Sequence, residues 1–274
     1  MDKEKYGRID GDKLDKWITD AESGKLSLVL GGISGGHTAV LEQRGKEMLA
    51  TFLEYKELMM IYTCAMKEVQ TKFDVLSTEF QVRYQRNPIR SMSSRLKKTS
   101  AIAGKLSKRD LAFTLENIEA HLSDVAGVRI ICAYIDDIYM IADSFLKQDD
   151  VTLIEKKDYI ASPKENGYRS LHLIVSVPVF FSEHKKDVKV EVQIRTMAMD
   201  FWASLEHQLR YKNSACGAGG CADVAEDLKA CADIISQTDE RMLFIRQKID
   251  QIAEDQSAEE QLFERLSRTD IRIE

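Results

Sequence analysis

The chain has 274 residues, long for one simple domain and short for two, which predicts one catalytic-size domain with helical extensions. Hydrophobic residues make up 44% and charged residues 31%, which excludes a disordered or collagen-like chain. The net charge of −6 argues against a globally basic nucleic-acid binder, so RNA is not an indicated partner, and leaves a local basic site open.

Only three prolines and 8% aromatics predict long helices with few rigid turns. No apolar run reaches the roughly 18 residues that span a bilayer, so no membrane partner is expected. The opening MDKEKYGRID lacks the apolar core of a signal peptide, which makes the cytoplasm the expected compartment.

Residues 1–40 show no firm period and form an N-terminal extension in which Gly31 to Gly36 (GGISGG) reads as a flexible linker. It is not a phosphate loop, because His37 and Thr38 follow where G-K-[ST] is required. From about Leu41 to Val82, apolar residues recur at helical spacing, among them Leu49, Leu53, Tyr55, Leu58, Tyr62, Met66, Val69, Phe73, Leu76 and Phe80. One long amphipathic helix is expected, packed on its apolar side.

The segment Arg83 to Arg109 then carries nine basic residues and no acid, so the rest of the chain carries −15. A charge run is ordinarily a solvated face. Here Arg95 and Lys97 precede a helical turn, and Lys105 follows the small-residue stretch TSAIAG, where a polyphosphate can approach the backbone.

Short β-branched segments follow: Gly127 to Tyr134, Arg169 to Phe180 and Asp187 to Arg195 read as strands, with a further one near Val151. Asp136 to Leu146 has helical periodicity. The alternation of strands and helices predicts an α/β or α+β sheet carrying helices. In VKVEVQIR, Val188, Val190, Val192 and Ile194 take one face, and Lys189, Glu191, Gln193 and Arg195 the other. In RSLHLIVSV, Ser170, His172 and Ser176 lie opposite Leu171, Leu173, Val175 and Val177. A half-solvated sheet explains such faces, and so does a site for a metal and a nucleotide. Asp124, in the turn before a strand, and Glu191 make the two separated carboxylates that a Mg²⁺ sharing phosphate oxygens needs. Gly127 beside them permits close approach. Tyr168, in the turn PKENGYRS with Lys164, is either a stacking platform for a base or a loop anchor.

After Arg195 the pattern turns helical through MAMDFWASLEHQLRYK. A glycine-rich break follows, with Cys216, Cys221 and Cys231 but no zinc pattern, and then two helices from about Asp223 to Ser267. Leu228, Cys231, Ile235, Met242, Ile245, Ile249 and Ile252 form a seam that suits either packing on the chain's own body or self-association. The expected division is residues 1–40, a catalytic unit over 41–212 and a C-terminal helical extension over 213–274.

The stretches SRLKKTSAIAGKL, SDVAGVRI, KDYIASPKENGYRSLH and VEVQIRTMAMDFWASLEHQLRYK resemble the synthetase domain of the RelA/SpoT family, most closely its small alarmone synthetases. The resemblance implies an α+β fold: a mixed β-sheet of nucleotidyltransferase type flanked by helices, with long N-terminal and C-terminal helices. It implies transfer of the β,γ-pyrophosphate of ATP to the ribose 3′-hydroxyl of GDP or GTP, giving AMP and ppGpp or pppGpp. By position it implies that Arg95 and Arg129 sandwich adenine and that Lys97 and Lys105 hold ATP phosphates. Asp124 and Glu191 are then the catalytic carboxylates and Mg²⁺ ligands, with Glu191 also placed to take the 3′-hydroxyl proton. Tyr168 stacks on guanine, Lys157, Lys164 and His172 lie near the acceptor phosphates, Gln193 lies near the ribose, and Asp200 faces the guanine edge. Asp200 departs from the asparagine common in relatives, and Ala101 stands where a family serine is expected. Homo-oligomerisation through the terminal helices is the expected assembly. Competing readings are a toxin-like relative that pyrophosphorylates the 3′ end of tRNA and an inactive nucleotide- or RNA-binding regulator.

Overall fold

A computed structural model describes the backbone of residues 38–213 and 221–268, and the side chains of residues 49–209 and 224–253. The Gly31 to Gly36 stretch and Cys216 lie outside the described residues, as does the side chain of Cys221.

Eleven elements follow one another among the described residues: α1 (Thr38–Tyr84), β1 (Ile89–Leu96), α2 (Thr99–Ser107), α3 (Leu115–His121), β2 (Ala126–Cys132), α4 (Ile135–Leu146), β3 (Thr152–Asp158), β4 (Leu171–Phe180), β5 (Lys185–Thr196), α5 (Met197–Asn213) and α6 (Cys221–Arg268). The five strands form one mixed sheet in the order β1-β2-β5-β4-β3. Only the central pair, β2 with β5, is parallel; the other three pairs are antiparallel. This is the α+β architecture expected.

One face of the sheet is core. Val188, Val190, Val192 and Ile194 of β5 are buried there, with Leu171, Leu173, Val175 and Val177 of β4 and Val128 and Ile130 of β2. The α1 helix covers this face through Tyr55, Leu58, Tyr62, Ala65, Val69, Phe73, Leu76 and Phe80, spaced by threes and fours so that they share one stripe. Leu49 and Leu53, predicted in the same apolar set, instead lie half exposed or more, while Phe52 between them is buried: Leu53 falls off the face that Phe52 and Tyr55 share. Phe73 stacks on Phe145 of α4 with ring centroids 4.5 Å apart, joining both helices over the sheet.

Two expectations are corrected. Ile89–Leu96 is a strand within the basic run, exposed over most of its length; its serines hide the alternation, and only β2 pairs with it. The C-terminal region is one helix of 48 residues rather than two. Its polar stretch, Ser236 to Arg241, is a helical turn that keeps its bonds, and Asp239 within it is buried against Thr196. No helix among the described residues is long and apolar enough to cross a membrane.

Candidate functional site

The opposite face of the sheet is polar, and strand register sets it out in rows. Ser93, Arg129, Gln193, His172 and Lys157 lie side by side across the five strands. The neighbouring row holds Arg95, Gly127, Glu191, Ile174 and Glu155. Directly paired residues point to the same side of a sheet, so residues from five strands meet on one surface. A Cβ on Gly127 would meet only the Arg95 carbonyl oxygen, at 3.7 Å. The fold itself therefore has no need of glycine there, and the space between Arg95 and Glu191 stays open to a ligand.

Asp124 sits in the turn before β2. Lys97 is brought to it because the Lys97 backbone N–H donates to the Val125 carbonyl at 2.8 Å. Both ammonium groups, Lys97 Nζ at 2.9 Å and Lys105 Nζ at 2.8 Å, donate to the same oxygen, Asp124 Oδ2. Burial raises the pKa of this carboxyl, but the bonds from Lys105 and Lys97 outweigh it and hold the group below the ordinary range. Oδ1 is buried and takes no hydrogen bond. A buried carboxylate oxygen without a donor suits a hard divalent cation, and Glu191 lies near enough to feel the Asp124 charge. The pair fits Mg²⁺.

Glu191 stands at the centre of a hydrogen-bonded line. Tyr168 Oη lies 2.8 Å from His172 Nε2, and His172 Nδ1 lies 3.2 Å from Glu191 Oε1. Gln193 Nε2 donates to Glu191 Oε2 at 2.9 Å, and Arg195 Nη2 donates to Gln193 Oε1 at 2.7 Å. Burial pushes the Glu191 carboxyl up, but the bond from His172, its charge and the bond from Gln193 prevail, so Glu191 is held below the usual carboxylate range. An ionised Glu191 only accepts, so Nδ1 of His172 donates to it, and Nε2 faces the Tyr168 hydroxyl. Burial keeps that phenol above its ordinary range, opposed by the Arg195 charge, so it stays protonated and donates.

Tyr168 anchors its loop. Its backbone N–H donates to Asn166 Oδ1 at 3.2 Å in a turn closed by Gly167 N–H to the Lys164 carbonyl at 2.8 Å. Its half-buried ring has Lys164 Nζ 4.8 Å and the Arg195 guanidinium 5.7 Å from the centroid. Lys164 also lies over Tyr159, at 4.4 Å. Lys157, on β3 opposite His172, pairs with Glu155 at 2.9 Å in an exposed position.

Asp200, on the first turn of α5, joins the two sides of the face: its Oδ1 lies 3.3 Å from Arg129 Nη1 and 3.5 Å from Arg195 Nη1. Arg195 is buried and is the residue that sequence reasoning left without a role. Alternation along β5 put it on the polar face; its cover, the Tyr168 ring, comes from the turn before β4. The basic run is divided by the fold. Arg83 pairs with Glu79, Arg86 makes a two-pronged pair with the fully buried Asp137, and Arg109 donates to the His121 carbonyl. Of the other six, Lys97 and Lys105 reach Asp124, and Arg95 shares a row with Glu191.

Residues 94–215 match the region found in RelA / SpoT proteins. Over 203 residues the chain is 40% identical to the GTP pyrophosphokinase YwaC of Bacillus subtilis (strain 168), across 74% of this chain and 95% of that protein. The chain belongs to the RelA/SpoT family. Among solved RelA/SpoT structures, small alarmone synthetase 1 from Bacillus subtilis bound to its product pppGpp aligns with a TM-score of 0.65 at 34% identity, covering 72% of this chain and 98% of that one. Small alarmone synthetase 2 from the same organism gives 0.64 at 39% identity, over 71% and 99%. The matched RelA/SpoT region takes in every predicted site residue, from Arg95 to Asp200.

Proposed function

We propose that the chain transfers the β,γ-pyrophosphate of ATP to the ribose 3′-hydroxyl of GDP or GTP, releasing AMP and ppGpp or pppGpp. The observation that carries this reading is the place of Glu191. It shares a row with Arg95 and Gly127 and is hydrogen-bonded to His172 and Gln193, which supports a position between the donor and acceptor nucleotides.

Arg95 and Arg129 are diagonal neighbours on adjacent antiparallel strands, a relation that spaces residues by about 7–8 Å. That gap admits one planar base with about 3.5 Å on either side, which suits adenine between two guanidinium planes. Lys97 and Lys105 supply charge to the ATP phosphates. Pyrophosphoryl transfer asks mainly for alignment and for cations against the charge spread over phosphate oxygens. Asp124 and Glu191 would hold Mg²⁺, which adds charge neutralisation and acidifies the attacking hydroxyl when bound.

On the acceptor side Tyr168 offers its ring to guanine, with Lys164, Lys157 and His172 toward the phosphates and Gln193 toward the ribose. Asp200 presents an acceptor to the N1 and N2 donors of guanine. Glu191, held ionised, accepts from the 3′-hydroxyl or holds the cation. The catalytic unit is read as residues 41–212, with extensions on either side. Met242, Ile245, Ile249 and Ile252 of α6 are exposed and support self-association through the terminal helices.

The test is an acceptor screen. The purified chain with ATP, Mg²⁺ and GDP, GTP or tRNA is resolved by anion-exchange chromatography for AMP and for the pyrophosphorylated product. A guanosine product is expected, and Glu191→Gln is expected to cost about 10²-fold or more in rate. Full activity in Glu191→Gln would refute the site; product on tRNA alone, or no AMP at all, would refute the substrate.

A further inference from the structure

The residues on both sides of Tyr168 are fastened to α6. Arg169 Nη1 donates to the Gly167 carbonyl at 3.1 Å and to the Ala232 carbonyl of α6 at 3.3 Å, while its Nη2 reaches Asp233 Oδ1 at 3.0 Å. One guanidinium thus ties the turn to the helix through a backbone oxygen on each and a carboxylate. Gly167 has φ +86, and a Cβ on it would lie 2.6 Å from the Ala232 Cβ, a separation that real Cβ atoms do not adopt. The turn and α6 are therefore in closest approach at Gly167 and Ala232, both buried. A third tie comes from α5, which carries Asp200: Trp202 Nε1 donates to the Leu228 carbonyl of α6 at 2.8 Å.

These contacts are not part of the polar face. Asp233 is half exposed and lies on α6, not on the sheet. Nothing in the chemistry of a nucleotide site requires an arginine to spend all its contacts on the backbone and side chain of a distant helix, and α6 lies outside the matched RelA/SpoT region.

We propose that α6 sets the position of the guanosine side of the site, with Ala232 and Asp233 as positioning residues that hold Tyr168 where a base stacks. The inference rests on the acceptor reading of Tyr168. Such an effect falls on one substrate only. Lys97, Lys105, Asp124 and Arg95 belong to β1 and the segments that flank it and β2, and among the described residues Lys97 and Lys105 are hydrogen-bonded to Asp124 and not to α6.

The experiment compares Asp233→Ala, Asp233→Glu and Ala232→Leu in the full-length chain. Each is measured for KM of GDP and of ATP, for kcat at saturation, for GDP binding by calorimetry and for thermal melting. Asp233→Ala removes a half-exposed ion pair, which hardly alters folding. It is expected to raise the GDP KM severalfold, with ATP KM and melting unchanged, and Asp233→Glu is expected to restore it. Ala232→Leu drives the turn outward and is expected to raise the GDP KM by about tenfold or more, since displacements near 1 Å carry penalties of that order. An unchanged GDP KM in Asp233→Ala, or an equal rise in the ATP KM, overturns the inference, and this holds even if Ala232→Leu does not fold. A wild-type chain that binds neither GDP nor GTP refutes the acceptor reading itself; one that binds GDP as well as Asp233→Ala does refutes the positioning role alone.

Discussion

Replacing Tyr168 by phenylalanine and by alanine separates the two contributions its side chain makes. Tyr168→Phe keeps the ring between Lys164 and Arg195 and removes only the 2.8 Å hydrogen bond to His172 Nε2. A partly buried bond of that kind is worth about 0.5–1.5 kcal/mol net. That bond is already made in the free protein, so its loss reaches the guanosine nucleotide only through a looser ring and should raise the KM by no more than about two- to tenfold. Tyr168→Ala also removes the stacking surface, worth about 1–3 kcal/mol for one base. The combined loss is about ten- to a thousandfold. The ATP KM should hardly move in either variant, because β1, β2 and α2 carry none of these contacts. Initial rates of AMP release, with GDP varied at saturating ATP and then the reverse, give both constants. Equal losses in the two variants would show that the hydroxyl, not the ring, matters. A near wild-type Tyr168→Ala would refute stacking on this residue altogether.

The remaining expectations concern stability and assembly. Burial raises the Asp239 carboxyl above its ordinary 3.8, against the 2.5 Å bond from Thr196. A carboxyl whose folded pKa is raised stabilises the fold in its protonated form, below 3.8, and that contribution is lost as pH rises through the folded value. Asp239→Asn should therefore raise the melting temperature at pH 7, and the gain should narrow toward acid, as calorimetry across pH will show. Arg86→Ala leaves the fully buried Asp137 with only Arg246 at 3.8 Å, and should cost about 2–3 kcal/mol in urea unfolding, less than a fully buried pair because Arg86 is partly exposed. No loss would mean that Asp137 is not a buried charge. Light scattering should give a multiple of 31.2 kDa; the monomer mass at working concentration refutes assembly through the terminal helices.

The site was legible wherever strand period carried it. Glu191, Gln193 and Arg195 fell on the polar face by alternation alone, and His172 by the same rule on the adjacent strand. What sequence could not supply was pairing. That Lys97 and Lys105 share one oxygen of Asp124, that Arg86 serves Asp137 and not a phosphate, and that Asp200 bridges Arg129 to Arg195 are relations between segments 19 to 71 residues apart. β1 escaped notice because Ser91, Ser93 and Ser94 on an edge strand have no buried face to betray a period. The seam of α6 lies on one helix, and its surroundings divide along its length. Ala232 and Asp239 turn to the body, while Met242 and Ile249 turn away.

The central parallel pair has a consequence for how such a chain can change over time. In the proposed reading, Arg95, Lys97, Lys105 and Asp124 belong to the part that runs from β1 to β2, whereas Tyr168, His172 and Gln193 belong to β4, β5 and the turn before them. The two parts meet along six residue pairs, from Gly127 with Glu191 to Cys132 with Thr196. Substitutions in the β4–β5 hairpin and its preceding turn can therefore alter what is pyrophosphorylated without disturbing the grip on ATP. The donor half can be inherited while the acceptor half diverges.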